Sequence, residues 1–310
     1  MTGKEQPLVS IITITFNIIS NSRKKLFVKC LESVHKQTYK NIEHVVIDGA
    51  SKDRTVDLIK KYVKKGWVKY ISEPDEGIYD AMNKGIKLAK GKYISFLNSD
   101  DYYSGKTGIE MSVETLEKNK ADFSYAPAII KFEDGKLFSD HPQNNPKISN
   151  VFFTMPFCHQ TMFLRRDVLI KENMFDTKYR SAADYDLVIR LCLKKYKSVF
   201  VDKAFVTYQF GGVSSTAQEN SLRETANIWR LKYSDLYPIT DGVIESMRTN
   251  IYSGNYYNGI PIGLARKFSA FKPFFNYAEY LNSTGQKDFR VTISSITRKC
   301  YSRFKKVLNK

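Results

Sequence analysis

Cysteine is scarce in this 310-residue chain, and its four copies, Cys30, Cys158, Cys192 and Cys300, stand far apart with no C-x-x-C pair. No histidine lies at metal spacing from any of them, so neither a zinc site nor a disulfide framework is expected, and all four read as reduced, mostly buried thiols. Glycine (16) and proline (9) are not enriched, which rules out collagen-like and low-complexity chains. No run approaches the roughly 18 to 20 apolar residues of a spanning helix. The opening Met1-Thr2-Gly3-Lys4-Glu5-Gln6-Pro7 lacks a basic stretch followed by an apolar one, so no export signal is expected and the chain is expected to stay in the cytoplasm. Residues 8–22 contain no glycine, which argues against the phosphate loop of a nucleotidyltransferase. What remains is ordinary for a globular protein: 42% hydrophobic, 26% charged, and about twice the length of a typical domain.

Acidic residues are also in deficit, 32 against 49 Lys and Arg, for a net charge of +17. Such an excess calls for a polyanionic partner: nucleic acid, phosphate esters or an anionic membrane face. From Pro261 to Lys310 there are eleven basic residues and two acidic ones, Glu279 and Asp288. Over half the excess is therefore in the last sixth of the chain, interleaved with aromatics as in Tyr301-Ser302-Arg303-Phe304-Lys305-Lys306. A surface helix on acidic lipid headgroups fits this pattern, and a solvated helix end is the bland alternative. A nucleic-acid-binding protein would carry the charge on its folded core, so nucleic acid is not expected as a partner.

The first half alternates β-branched runs with helical periods. Leu8 to Phe16, Ile42 to Asp48, Trp67 to Ser72 and Tyr93 to Leu97 read as strands; Leu26 to Gln37, Asp53 to Lys65 and Gly77 to Ala89 read as helices. Strands without strict alternation, joined by helices, imply an α/β fold whose mostly parallel sheet has helices on both faces. Ligands bind such sheets at the carboxyl ends of the strands, where this chain puts its polar residues. From Ala121 to Ser215 the pattern loosens: Phe123 to Phe132 with Lys136 to Phe138 reads as a hairpin, Thr161 to Leu164 as a strand, Asp184 to Lys195 as a helix and Ser198 to Phe210 as a last β-rich segment. The expected division is 1–215, with halves of about 7–120 and 121–215, and a helical, basic, aromatic-rich extension at 216–310.

Three polar clusters carry chemistry. Asn98-Ser99-Asp100-Asp101 sets adjacent carboxylates after a buried strand, a pairing that a hard divalent cation relieves, with water and substrate phosphates as its other ligands. A turn or helix cap before a helix near Gly105 is the alternative. Asp48-Gly49-Ala50-Ser51-Lys52-Asp53 follows another strand; Gly49 suits a turn and Ser51 or Asp53 a cap, while Asp48 could accept from a nucleobase N–H. The segment Glu73 to Gly85, a turn feeding a helix, is too polar to be merely core.

Taken in order, Thr15-Phe16-Asn17, Asp48 to Asp53, Glu73 to Gly85 and Asn98 to Asp101 resemble the family 2 glycosyltransferases, inverting enzymes of the GT-A fold, over about residues 7–215. The resemblance implies a Rossmann-like mixed sheet, a nucleotide-sugar donor (usually a UDP-sugar) and a Mn²⁺ or Mg²⁺ ion. It also implies a glycan or lipid-linked acceptor, of the capsule, O-antigen or lipopolysaccharide kind, at the inner membrane face. Carried over residue by residue, it puts Thr15, Asn17, Asp48, Ser51, Asp75, Gly77, Asn83, Asn98, Ser99 and Asp100 on the donor, with Asp100 also on the metal. Asp101, His159, Gln160 and Asp186 fall to the acceptor or donor sugar, and Asp184 to the general base.

Three positions depart from the family pattern. Asn98 replaces the first aspartate of Asp-x-Asp, Ala183 replaces the glutamate before the base, and Tyr208 to Ser215 holds no histidine for the metal, so that Gly211 and Gly212 are expected to form a turn near the diphosphate. The chemistry holds without the family. An acceptor hydroxyl must lose its proton as it attacks the anomeric carbon, and a carboxylate within about 3 Å can take it. Asp184 suits that role, or else simply caps its helix.

Overall fold

The structure is a computed structural model that describes residues 6–139, 148–211 and 218–287. The basic stretch 288–310 with Cys300, and Gly212 of the expected turn, lie outside the described residues. Within them Cys30, Cys158 and Cys192 are free thiols, and no helix is long and apolar enough to cross a membrane.

The alternation of the first half produces β1 (Val9–Thr15), α1 (Lys24–His35), β2 (Ile42–Asp48), α2 (Thr55–Lys64), β3 (Lys69–Ser72), α3 (Ile78–Leu88) and β4 (Tyr93–Phe96). There follow β5 (Tyr102–Tyr103), α4 (Gly108–Asn119), β6 (Phe123–Tyr125), β7 (Ala128–Lys131), β8 (Leu137–Ser139), β9 (Phe163–Arg165), α5 (Arg166–Lys171), α6 (Ala183–Leu193), β10 (Ser198–Phe200) and β11 (Val206–Gln209). A seven-stranded sheet runs β10-β6-β9-β4-β1-β2-β3, parallel except for β9, which is antiparallel to both its neighbours. A second sheet, β5-β11-β7-β8, pairs β11 with β7 in parallel and the others antiparallel.

Two expected strands divide between these sheets. Phe123 to Phe132 breaks at Ala126-Pro127, leaving β6 in the large sheet and β7 in the small one, since a proline cannot continue a ladder. Ser198 to Phe210 divides likewise into β10 and β11.

Helices cover both faces of β1, as its buried, mostly β-branched run demands. Val9 and Ile11 face Cys30 and Val34 of α1, while Ile12, on the opposite face, lies against α3 at Gly85. On α1 the residues Phe27, Cys30, Leu31 and Val34 are buried, one stripe at helical period. Removing one of them, as in Leu31→Ala, costs about 2–5 kcal/mol in cores of this kind.

The chain forms two compact units, residues 1–231 and 232–310, so the first runs past the expected boundary at 215. The reason is α7 (Gln218–Tyr233): Trp229 is 1% exposed and donates its indole N–H to the Tyr185 hydroxyl at 2.9 Å. The second unit holds α8 (Asp241–Tyr252), α9 (Ile262–Phe268) and α10 (Tyr277–Thr284) around a small aromatic core. Phe268 stacks edge-on against Tyr233 (4.9 Å) and Phe275 (5.6 Å), and Thr240 and Asn276 cap α8 and α10 with their side chains.

Candidate active site

Parallel register sets Thr15, Asp48 and Ser72 side by side where β1, β2 and β3 end. The Asp48 carboxylate, 0% exposed, accepts from Thr15 Oγ1 (3.1 Å), Ser51 N (2.9 Å), Ser51 Oγ (2.5 Å) and Ser72 Oγ (2.6 Å). Ser51 Oγ accepts in turn from Asn17 N (2.8 Å), and Asn17 Oδ1 accepts from Lys52 N (3.0 Å). Two more bonds bind the same loops, Ile18 N to Thr55 Oγ1 and Ser20 N to Asp53 Oδ2, both 2.8 Å. The loops after β1 and β2 are thus stitched into one floor, which holds Asn17 and Ala50 in the left-handed region (φ 49° and 56°). Asp48, Ser51 and Asn17 build this floor and do not line the cavity above it.

That cavity, about 780 Å³, opens at the carboxyl ends of β1 and β4 and is bordered by Thr15, Asp75, Gly77, Asn98, Ser99 and Asp100. Phe16 borders it too, with 58% of its surface exposed. Asp75 occupies the space over Gly49, where any Cβ would collide with its carboxylate. It accepts from Gly77 N at 3.0 Å, and Gly77 holds φ at 127°, a value open to glycine alone at little cost. Burial pushes the Asp75 pKa up, against the opposing pull of the Gly77 N–H and Lys84.

After β4 the two adjacent carboxylates part. Asp100 faces the cavity, with Oδ2 3.2 Å from Arg23 Nη1. Asp101 turns inward, 1% exposed, and accepts from Gln209 N (2.9 Å) and Gln160 Nε2 (2.7 Å). Burial first, and then the Asp100 charge, raise its pKa from 3.8 to about 7. Asp101 and Gln160, expected on a substrate sugar, instead pin β11 to the turn before β9. The cap expected of this segment is not formed either, because β5 intervenes and α4 begins only after Thr107.

The expected base lies on the first turn of α6. The helix starts at Ala183 with Ala182 as an N-cap that offers no side-chain bond, so Asp184 is inside the helix and is not its cap. Its Oδ1 accepts from the Tyr79 hydroxyl and from Tyr185 N, each at 2.9 Å, and its Oδ2 lies 3.2 Å from His159 Nδ1. Burial pushes this carboxyl up, but the His159, Tyr79 and Tyr185 donors outweigh it and hold the pKa below the ordinary value. Tyr79 moves the other way, pushed well up by burial and by the Asp184 charge. His159 and Tyr79 border the cavity, and the Asp184 side chain that they contact is 17% exposed against 15% for His159. His159 Nε2 is buried and has no hydrogen-bond partner among the described residues.

Two expected substrate contacts belong to the frame. Asp186, two residues on, is 0% exposed and accepts from Arg190 Nε at 2.7 Å, because two steps along a helix turn a side chain about 200° away. Asn83 exchanges two bonds with the Phe175 backbone (2.9 and 3.0 Å).

The entry to α6 is held from α7. Glu224 accepts from the backbone N–H groups of Arg180 (2.8 Å), Ser181 (2.8 Å) and Ala182 (3.0 Å). Arg180, thus fixed, borders the cavity and donates to Glu76 O at 2.5 Å. Of the expected residues, then, Thr15, Asp75, Gly77, Asn98, Ser99, Asp100 and His159 meet at one cavity, with Asp184 in contact with His159. The residues that sequence reasoning missed are Arg23, Tyr79 and Arg180; only Tyr79 had a signal, its place in the polar 73–85 segment.

The family model described as glycosyl transferase family 2 matches residues 10–173. A PGL/p-HBAD biosynthesis glycosyltransferase from Mycobacterium bovis is 30% identical over 219 residues, 68% of this chain and 80% of its own. WfaP of Escherichia coli, a UDP-Glc:alpha-D-GlcNAc-diphosphoundecaprenol beta-1,3-glucosyltransferase, is 36% identical over 140 residues, 44% of this chain and 53% of its own. Among solved structures, S. aureus TarS 1–349 with UDP-GlcNAc aligns at TM-score 0.57 and 18% identity, over 89% of this chain and 88% of that one. PcManGT of Pyrobaculum calidifontis, with GDP-Man and Mn²⁺, aligns at 0.60 and 14%, over 96% and 81%. These likenesses make the fold a GT-A fold, as the resemblance implied.

Proposed function

This chain belongs to glycosyl transferase family 2, and we propose that it carries a sugar from a UDP-sugar to a hydroxyl of a glycan or lipid-linked oligosaccharide, with inversion at the anomeric carbon. The observation that carries the proposal is a single cavity bordered both by the Asp100–Arg23 pair and by the His159–Asp184–Tyr79 cluster. The first suits a diphosphate and its counter-charge, and the second suits deprotonation of an acceptor. That TarS was solved with UDP-GlcNAc and that WfaP is named for a lipid-diphosphate acceptor both support this reading.

The exposed Phe16 ring offers a face on which a nucleobase can stack. Asp48, its four bonds all internal, acts by holding the floor under that face. Arg180 and Arg23 bring positive charge to the cavity, where the departing nucleoside diphosphate gains negative charge. Inversion requires one displacement, so a single basic centre suffices and no protein nucleophile is needed.

A hard divalent cation fits this donor set. Asp100, with Asn98 and Ser99 beside it, presents side-chain oxygens to the cavity, and a diphosphate would complete the shell, since among the described residues no three His, Cys, Asp or Glu side chains gather. When bound, such an ion stabilises the charge on the leaving diphosphate. Arg23 must share or release the Asp100 carboxylate for this to happen.

A screen of UDP- and GDP-sugars for nucleotide release, with and without Mn²⁺ or Mg²⁺, tests the proposal, and no release from any donor with any acceptor rejects it. Asp100→Ala is expected to remove the metal dependence of UDP binding; the same gain of affinity with Mn²⁺ in variant and wild type, measured by calorimetry, rejects the metal assignment. On the same reading the 288–310 stretch, with seven basic residues and one acidic, contacts anionic lipid at the cytoplasmic face. At about 1 kcal/mol per engaged residue, a chain ending at 287 should lose salt-sensitive sedimentation with phosphatidylserine vesicles yet keep donor turnover in solution. Equal sedimentation of both chains rejects the lipid contact.

A further inference from the structure

Resting on the donor and metal reading above, we infer that Arg23 is an exchangeable counter-ion, which holds the Asp100 carboxylate while no cation is bound and passes to the diphosphate when a divalent cation takes that carboxylate. Three observations converge. First, the pair is within reach of solutes. Arg23 Nη1 lies 3.2 Å from Asp100 Oδ2, with 37% of the Arg23 side chain and 13% of the Asp100 side chain exposed, and a pair so placed contributes little and exchanges readily. Second, the backbone of Arg23 is anchored, so an exchange asks for the movement of one side chain only. Its N–H donates to Ile18 O (2.9 Å), its carbonyl accepts from Phe27 N (3.0 Å) on the first turn of α1, and Ile18 N is itself bonded to Thr55 Oγ1. Third, the guanidinium has space on two sides, because Arg23 and Asp100 border both the large cavity and a smaller one of about 330 Å³.

Charge gives the exchange its direction. Asn98 is neutral and Asp101 turns inward, so Asp100 is the carboxylate of this turn that faces the cavity. Bare, it would repel a diphosphate; paired with Arg23, it does not. A guanidinium and a divalent cation at one carboxylate repel each other, so a cation arriving alone must first displace Arg23. A diphosphate lowers that cost, because its oxygens match the planar fork of the guanidinium and give it somewhere better to go. Arg23 therefore makes the site take nucleotide and cation together and the cation alone only weakly, a coupling that by linkage acts equally in both directions. In the metal-free site it is a positioning residue for Asp100, and in the loaded site it is a ligand of the diphosphate.

The test uses the full chain and two binding measurements that need no turnover: Mn²⁺ alone, followed by electron paramagnetic resonance, and UDP with a chelator present, followed by calorimetry. Arg23→Met is expected to bind Mn²⁺ alone about tenfold more tightly than wild type and UDP without metal about tenfold more weakly, at an unchanged thermal midpoint. The opposite signs separate the two roles, since a merely structural part for Arg23 would weaken both. Arg23→Lys, which keeps the charge, should stay within about threefold of wild type in both measurements. Arg23→Gln also removes the charge and serves if the methionine variant folds poorly. Where Mn²⁺ raises the UDP affinity of the wild-type chain, an Arg23→Met affinity for Mn²⁺ alone equal to or below wild type overturns the inference and leaves the metal reading standing. If Mn²⁺ raises UDP affinity in neither wild type nor variant, the metal reading has failed and the inference falls with it.

Discussion

Asp48 and Asp184 are both carboxylates at the sheet's carboxyl edge, and the fold treats them in opposite ways. Asp48 is fully buried, and its four donors all come from the loops and strand ends it joins. Asp184 ends in a contact with a ring whose other nitrogen has no partner among the described residues. A carboxylate bonded only within its own loops and strand ends makes a floor; one tied to two residues that border the cavity stands at its edge. Burial alone does not tell the two apart, whereas following each chain of hydrogen bonds to its end does.

The largest effect that would sharpen this contrast is on rate. Asp184→Asn should lower transfer by roughly 10²-fold or more with little change in UDP affinity or unfolding midpoint, because no cap is lost. Loss of stability instead of rate would make Asp184 a second Asp48. Next comes Asp48→Ala, which strands buried donors and should cost about 2–4 kcal/mol of stability in urea unfolding, with weaker UDP binding following from the disturbed floor. Weaker UDP binding at unchanged stability would make Asp48 a nucleobase contact, as the sequence suggested, and break the contrast. The smallest effect is on the pH profile of stability. Asp101 is raised by burial, so the folded state holds its proton more tightly than the unfolded chain does. Its contribution is therefore fully present below about pH 4 and is lost as pH rises towards 7, and Asp101→Asn should flatten that slope in thermal melts with a chelator present. A slope unchanged by the substitution would show that Asp101 is charged throughout.

Much of the fold was legible because its causes are local. β1, β2 and β4 are buried, largely β-branched and apolar runs, and α1 and α3 carry a stripe at helical period, so the order of elements and the parallel sheet follow from residue chemistry alone. The division of 123–132 and 198–210 between two sheets was not legible, since a strand's apolar pattern does not say which partner it pairs with. At the site, Asp75 and Asp100 from the motifs and the lone His159 that the sequence singled out all border the one cavity. Asp186 could have been read otherwise from its i,i+4 partner Arg190. Arg23 and Arg180 left no such mark, being ordinary surface-type residues brought to the cavity by contacts 77 and 104 positions away in sequence.

Glu224 has a bearing on how this chain can be cut and recombined. Where the family pattern has a glutamate beside the base, this chain has Ala183, and a carboxylate from α7 reaches back to the three N–H groups just before it. A breakpoint at 215, which composition alone would recommend, would therefore leave the entry to α6 with three donors and without the Glu224 acceptor. Chimeras with relatives should be joined beyond the end of α7 at Tyr233, so that a transplanted α6 brings its own latch.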